Sequence, residues 1–245
     1  MTDRSANQEL PADCGNRQRV VVLRHGIMLN RYFMLPMERY FKKRGYEVYN
    51  CSYPTTKKCI AEHAQDLADE MKALQERVDE NAEFYFVTQS MGGLVLRYAL
   101  THFSMPPARR AVLMVPPNQG SACARFFKRF PPYRWIFGKK AGMELAGDPP
   151  GIFAECGTPE DCEIGIIAGS ISRSIYPANL EKPHDGVVSV SETQLPPFPV
   201  KVLPYGHTPI LFVRYAMEEA EHFLVHGKFR AEVPSVFADA GSVES

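Results

Sequence analysis

The chain has 245 residues, enough for one α/β domain, or two small ones, burying about 70–75% of the surface exposed by the unfolded form. Hydrophobic residues make up 45% and charged residues 23%, a globular balance that excludes a disordered chain or a fibre. Twenty-eight basic against 28 acidic side chains give a formal charge of zero, which removes the electrostatic footprint of a dedicated nucleic-acid binder.

Residues 1–17 scatter Asp3, Arg4, Glu9 and Asp13 among polar neighbours. They lack the apolar stretch of about 7–15 residues that a secretory signal needs, so a cytoplasmic protein with a flexible leading segment is expected. The longest apolar runs, 111–117 and 164–168, are far shorter than the ~20 residues of a membrane-spanning helix. Short β-branched runs predict strands over 20–23, 47–51, 84–88, 111–115, 164–168 and 200–203. Helical spacing predicts helices over 35–43, 60–79, 92–101 and 209–226; Ala64, Leu67, Ala68, Met71 and Leu74 form the apolar stripe of the second. Strands alternating with helices define an α/β fold, with a mostly parallel sheet of about six strands and helices on both faces. A single domain is expected over 18–228, followed by a flexible tail over 229–245.

An insert over about 118–162 breaks this rhythm with a basic and aromatic run from Arg125 to Phe137. It reads as a cap over a pocket, as a patch that dips apolar rings beneath anionic headgroups at a membrane surface, or as an ordinary helix and loop with its rings packed inward. Cys14, Cys51, Cys59, Cys123, Cys156 and Cys162 match no zinc spacing and are expected as reduced thiols, a Cys156–Cys162 clasp being the alternative.

The sharpest signal is the stretch 84–99, an apolar strand, a tight turn with Ser90 at its tip, and an amphipathic helix. This is the setting of a nucleophile elbow, whose strand and helix approach so closely that residues flanking the serine must be small. Gly92 and Gly93 meet that demand, whereas Thr88 stands where the usual pattern has glycine. The N–H of Met91 would then point at an oxyanion, with the helix N-terminus behind it. The plainer reading is a Gly-rich strand-to-helix turn.

A nucleophilic serine needs a base, and the base an orienting acid. After the strand over 164–168 comes His184-Asp185-Gly186, and after the strand over 200–203 comes Gly206-His207-Thr208. Asp185 and His207 therefore follow Ser90 in the order Ser, Asp, His, each beyond a strand. Their plainer readings are an Asp-Gly turn and a loop histidine. His63, His102, His222 and His226 fall in predicted helices and are expected as surface or core imidazoles. The loop after the first strand supplies a second oxyanion donor in such an architecture, and Ile27 is the candidate; His25 is expected to bond to backbone and shape that loop.

Together, Leu-Arg-His-Gly-Ile at 23–27, Gln-Ser-Met-Gly-Gly at 89–93, Val-Pro-Pro-Asn-Gln-Gly-Ser at 115–121, Asp-Gly-Val-Val at 185–188 and Gly-His-Thr at 206–208 resemble the lipase and esterase branch of the α/β-hydrolase superfamily, over about 18–226. Asp-Gly-Val-Val in particular is similar to the acid loop of small bacterial lipases. The resemblance implies a serine hydrolase of carboxylic esters, with Ser90 as nucleophile, Asp185 and His207 as its partners, and a lipid or smaller acyl ester as substrate. It calls for no metal and no organic cofactor. Three other readings remain: an acyltransferase using the same triad, a histidine phosphatase using His25 with Arg24 on phosphate, and a hydrolase fold kept as a binding module.

Overall fold

The computed structural model describes residues 17–171 and 180–231. The leading segment, nearly all of the tail and Cys14 lie outside the described residues. Six parallel strands form one sheet: β1 Arg19–Arg24, β2 Glu47–Asn50, β3 Glu83–Gln89, β4 Ala108–Met114, β5 Glu163–Gly169 and β6 Val200–Leu203, in the order β2-β1-β3-β4-β5-β6. The predicted strands are therefore found within a few residues of their expected bounds.

Successive side chains of a strand point to opposite faces, and the core divides accordingly. On one face Val20, Val22, Phe84, Phe86 and Leu113 pack under α2 (Ile60–Gln75) and α3 (Met91–His102). On the other, Val21, Leu23, Tyr85, Val87 and Val112 pack under α1 (Leu35–Lys42) and α9 (Arg214–His226). Helix α2 starts at a capping box in which the Glu62 N–H donates to Cys59 Sγ and the Cys59 N–H donates to Glu62, and it ends four residues before the predicted 79.

The predicted helix over 209–226 is two elements. A 3₁₀ turn, Pro209–Phe212, puts consecutive Ile210 and Leu211 into the core; extended Val213 then resets the direction before α9. Beyond α9 the Phe229 ring lies 4.9 Å from that of Phe223 and the Arg230 N–H donates to Glu219 at 3.2 Å.

The insert folds into four short helices, α4 Ala122–Phe127, α5 Pro132–Phe137, α6 Ala141–Leu145 and α7 Gly151–Glu155. Helix α8, Val190–Thr193, lies between β5 and β6. Cys156 and Cys162 are free thiols, so the clasp is not formed, and burial pushes each up to about 12. Arg97 of α3 fastens the insert from below. Its buried guanidinium donates to the carbonyls of Gly157 (3.0 Å) and Phe153 (3.1 Å) and to the side-chain oxygen of Asn118 (3.1 Å). Among the described residues, no helix is long and apolar enough to cross a membrane.

Replacing Arg97 by Met removes the donors but leaves buried carbonyls unpaired, each costing about 1–3 kcal/mol. Urea unfolding of Arg97→Met is expected to show a loss of about 3 kcal/mol or more; a loss below about 1 kcal/mol would mean that apolar contacts alone hold the insert.

Candidate active site

Strand β3 ends at Gln89, and Ser90 turns the chain into α3 with φ 53° and ψ −125°, a conformation that a side chain rarely adopts. The turn is pinned from both sides: the Ser90 N–H donates to the Met114 carbonyl at 2.9 Å, and the Gly93 N–H to the Ser90 carbonyl at 2.9 Å. Helix α3 comes so close to the end of β1 that a Cβ on Gly92 would stand 2.7 Å from the Arg24 carbonyl oxygen and 2.9 Å from that of His25. A Cβ on Gly26 would likewise press 2.9 Å from Ser90 Cβ. Thr88 is fully buried in this turn, and its Oγ1 would stand in ordinary contact, 3.4 Å, with a Cβ at Gly93. As the first residue of α3, Met91 has an N–H that no helical carbonyl can accept, and it lies where the helix dipole is positive.

The loop after β1 forms a turn in which the Leu29 N–H donates to Gly26 O at 3.3 Å and Met28 takes φ 62°. Ile27 is the first of the two central residues, and its N–H has no protein acceptor among the described residues. Two residues that sequence reasoning missed brace this turn. The Tyr53 hydroxyl donates to the His25 carbonyl at 2.7 Å, and Thr55 Oγ1 accepts from the Met28 N–H at 3.1 Å. Among the described non-glycine residues, positive φ occurs at Met28, Ser90 and Val115, which follow β1, β3 and β4 at the carboxyl edge of the sheet.

At the same edge, the loop leading to α8 carries Asp185, whose side chain is fully buried. One carboxylate oxygen accepts from the N–H groups of Val187 (2.8 Å) and Val188 (2.7 Å). The other stands 2.6 Å from His207 Nδ1. The His207 N–H donates to the Asp185 carbonyl at 3.0 Å, so backbone and side chain both fix the pair. Gln89, next to the serine, donates from its amide to the His207 carbonyl at 3.4 Å, tying the histidine loop to the strand-to-helix turn. Asp185 and His207 are thus in contact. The Ser90 hydroxyl forms no hydrogen bond with any described residue, and contacts of this kind commonly close only when substrate is bound.

No protein-family model matches the sequence, and no curated protein is similar to it. Solved structures are. The mature form of lipase BlEst2 from Bacillus licheniformis superposes with a TM-score of 0.70 at 17% identity, over 86% of this chain and 94% of that one. The chain has the α/β-hydrolase fold. A metagenomic carboxyl esterase, MGS0156, aligns with this hydrolase fold at a TM-score of 0.62 and 17% identity, over 91% of this chain and 80% of its own. Phospholipase PlaB from Legionella pneumophila aligns at 0.58 and 16% identity over 73% of this chain, which spans only 45% of PlaB.

Within this fold the Arg24-His25 pair is buried and held by its neighbours. His25 is fully buried, stacks on Tyr53 with ring centroids 4.6 Å apart, and donates from Nδ1 to the Gly26 carbonyl at 3.0 Å. Arg24 is buried as well, reaching Glu70 of α2 at 2.8 Å and lying over the Tyr53 ring. Neither side chain can meet a phosphate in solvent. Among the described residues no group of histidines, cysteines and carboxylates could hold a metal ion.

Burial lowers the pKa of His25 and of His63, which packs edge-on against Tyr53 at 4.9 Å. Both are neutral in the fold and become charged in the unfolded chain below about pH 6.5, so the unfolded state binds more protons there. Stability is complete above about pH 6.5 and falls as the pH drops toward the folded-state values. Thermal unfolding between about pH 7 and pH 5 is expected to show a falling midpoint, with a shallower fall in His63→Gln; equal slopes in both proteins would contradict the assignment.

Proposed function

We propose that the protein is a serine hydrolase of carboxylic esters, working through an acyl-enzyme on Ser90. The observation that carries this reading is the buried Asp185 carboxylate 2.6 Å from His207 Nδ1, at the edge where Ser90 caps α3. With one oxygen saturated by two N–H groups, the carboxylate stays an acceptor and keeps the imidazole proton on Nδ1. Nε2 of the neutral ring is then the basic nitrogen.

In the proposed cycle, Ser90 Oγ attacks the ester carbonyl while His207 Nε2 takes the hydroxyl proton. Charge passes to the carbonyl oxygen, which the N–H groups of Ile27 and Met91 stabilise. The tetrahedral species collapses, the C–O bond to the alcohol breaks, and the alkoxide leaves with the proton from His207. Water then loses a proton to His207 and attacks the acyl carbon; the bond to Ser90 Oγ breaks, Oγ takes the proton back from His207, and the carboxylic acid leaves. Each backbone donor in such a site contributes about 2.7–4 kcal/mol to the barrier reduction, which gives the bracing of the Ile27 turn by Tyr53 and Thr55 a chemical purpose.

Labelling with a fluorophosphonate and hydrolysis of p-nitrophenyl esters of graded acyl length test the proposal. The native protein is expected to label once and to hydrolyse, and Ser90→Ala to do neither; labelling of Ser90→Ala at the native rate would refute it. Asp185→Asn keeps an acceptor for the Val187 and Val188 N–H groups but turns an amide donor toward His207, so kcat is expected to fall about 10⁴-fold with the fold retained. A fall below about tenfold would mean that Asp185 serves the turn alone.

A further inference from the structure

A surface helix ordinarily shows polar residues to water, and α5 shows large apolar ones beside its single Arg134. On its inner side Tyr133 and Phe137 stack with ring centroids 4.7 Å apart, and Tyr133 is buried with its hydroxyl donating to the Gly142 carbonyl at 2.8 Å. On its outer side Trp135 is 88% and Ile136 41% exposed, and the turn entering the helix leaves Phe130 50% exposed. Large apolar side chains therefore stand on both sides of the helix, and only those on the inner side have a protein partner among the described residues.

The charges around this tip have one sign. From Asn118 to Met143 the sequence has six basic residues and no Asp or Glu, in a chain of formal charge zero. Arg125, Lys128 and Lys140 face carboxylates of Glu192, Asp148 and Glu62. Arg129, Arg134 and Lys139 are exposed and pair with no carboxylate of the described residues. Rings at the tip and unpaired cations around them match a bilayer with anionic headgroups, where apolar groups enter the acyl boundary and Lys and Arg meet phosphate. A second copy of the chain fits worse, because a two-fold contact through this face would set the unpaired cations of one copy against those of the other.

We infer that α5 and the turn before it dock the protein on an anionic phospholipid surface, with Trp135 as the shallow anchor. The docking element is fastened to the functional edge. Gly138, at the end of α5, abuts the Thr56 carbonyl, and the Ala141 N–H donates to the Lys58 carbonyl at 3.2 Å. The same loop carries Thr55, which braces the turn holding Ile27. Docking does not require hydrolysis; that the docked protein acts on a lipid ester rests on the function proposed above.

Trp135 is the single tryptophan of the chain, so intrinsic fluorescence reports on this residue alone. The experiment uses Ser90→Ala, in which lipid hydrolysis is removed, with vesicles of phosphatidylcholine alone or mixed with phosphatidylserine. The mixed vesicles are expected to shift the emission to the blue and to expose it to quenching by lipids brominated near the headgroup. Arg129→Ala and Arg134→Ala are each expected to weaken partitioning about fivefold, and added salt to weaken it further. An emission spectrum unchanged at saturating anionic lipid would overturn the proposal. So would equal partitioning to neutral vesicles, or a blue-shifted spectrum without lipid that accompanies dimers in sedimentation. Hydrolysis of a soluble p-nitrophenyl ester by Arg134→Ala at the native rate would leave the serine chemistry standing whatever the vesicles show.

Discussion

The carboxyl edge of the sheet is organised by the close approach of α3 to the end of β1. With the Gly92 backbone against the Arg24 and His25 carbonyls, the chain between β3 and α3 has room for a single residue, and Ser90 occupies it at positive φ. A strained residue of this kind costs about 1–3 kcal/mol, offset here by the Ser90–Met114 backbone bond and the burial of Met91, Leu94 and Val95 beneath α2. The same approach aims the N-terminus of α3, and the free Met91 N–H with it, at the space beside the Gly26 turn. A larger residue at 26 or 92 would open this gap and disturb the turn at Ser90.

Asp185 and His207 are held by a different device. Asp185 spends one oxygen on its own turn and one on His207, while the His207 N–H returns to the Asp185 carbonyl. The loops after β5 and β6 are therefore locked to each other as much as to the sheet. Glu192 extends the lock, accepting from the Ala122 N–H at 2.6 Å, so the start of the insert is tied to the acid loop. Arg97 and Asn118 continue the same seam toward α7, the Asn118 amide donating to the Thr193 carbonyl at 2.7 Å.

Much of this was legible in the sequence. A parallel strand covered on both faces is a short uninterrupted apolar run, and such runs located all six strands. The sharp strand-to-helix turn was legible because Ser90, Gly92 and Gly93 sit between a strand and a helix, and the loops of Asp185 and His207 because each follows a strand. The insert was legible only as an irregular stretch, since its four helices have five or six residues each and show too little periodicity to read. The break at Val213 was hidden because a 3₁₀ turn and the helix after it bury neighbouring stripes. Tyr53, Thr55 and Arg97 carry no local signal at all; their partners are 28, 27 and 60 residues away.

The central claim is that these loops assemble one reaction centre around Ser90. A crystal structure of the protein after reaction with a diethyl phosphonate tests it most directly. The phosphorus is expected on Ser90 Oγ, with its oxygen between the N–H groups of Ile27 and Met91 and with His207 Nε2 facing the phosphonate. An adduct on another residue, or an oxygen remote from both N–H groups, would contradict the claim.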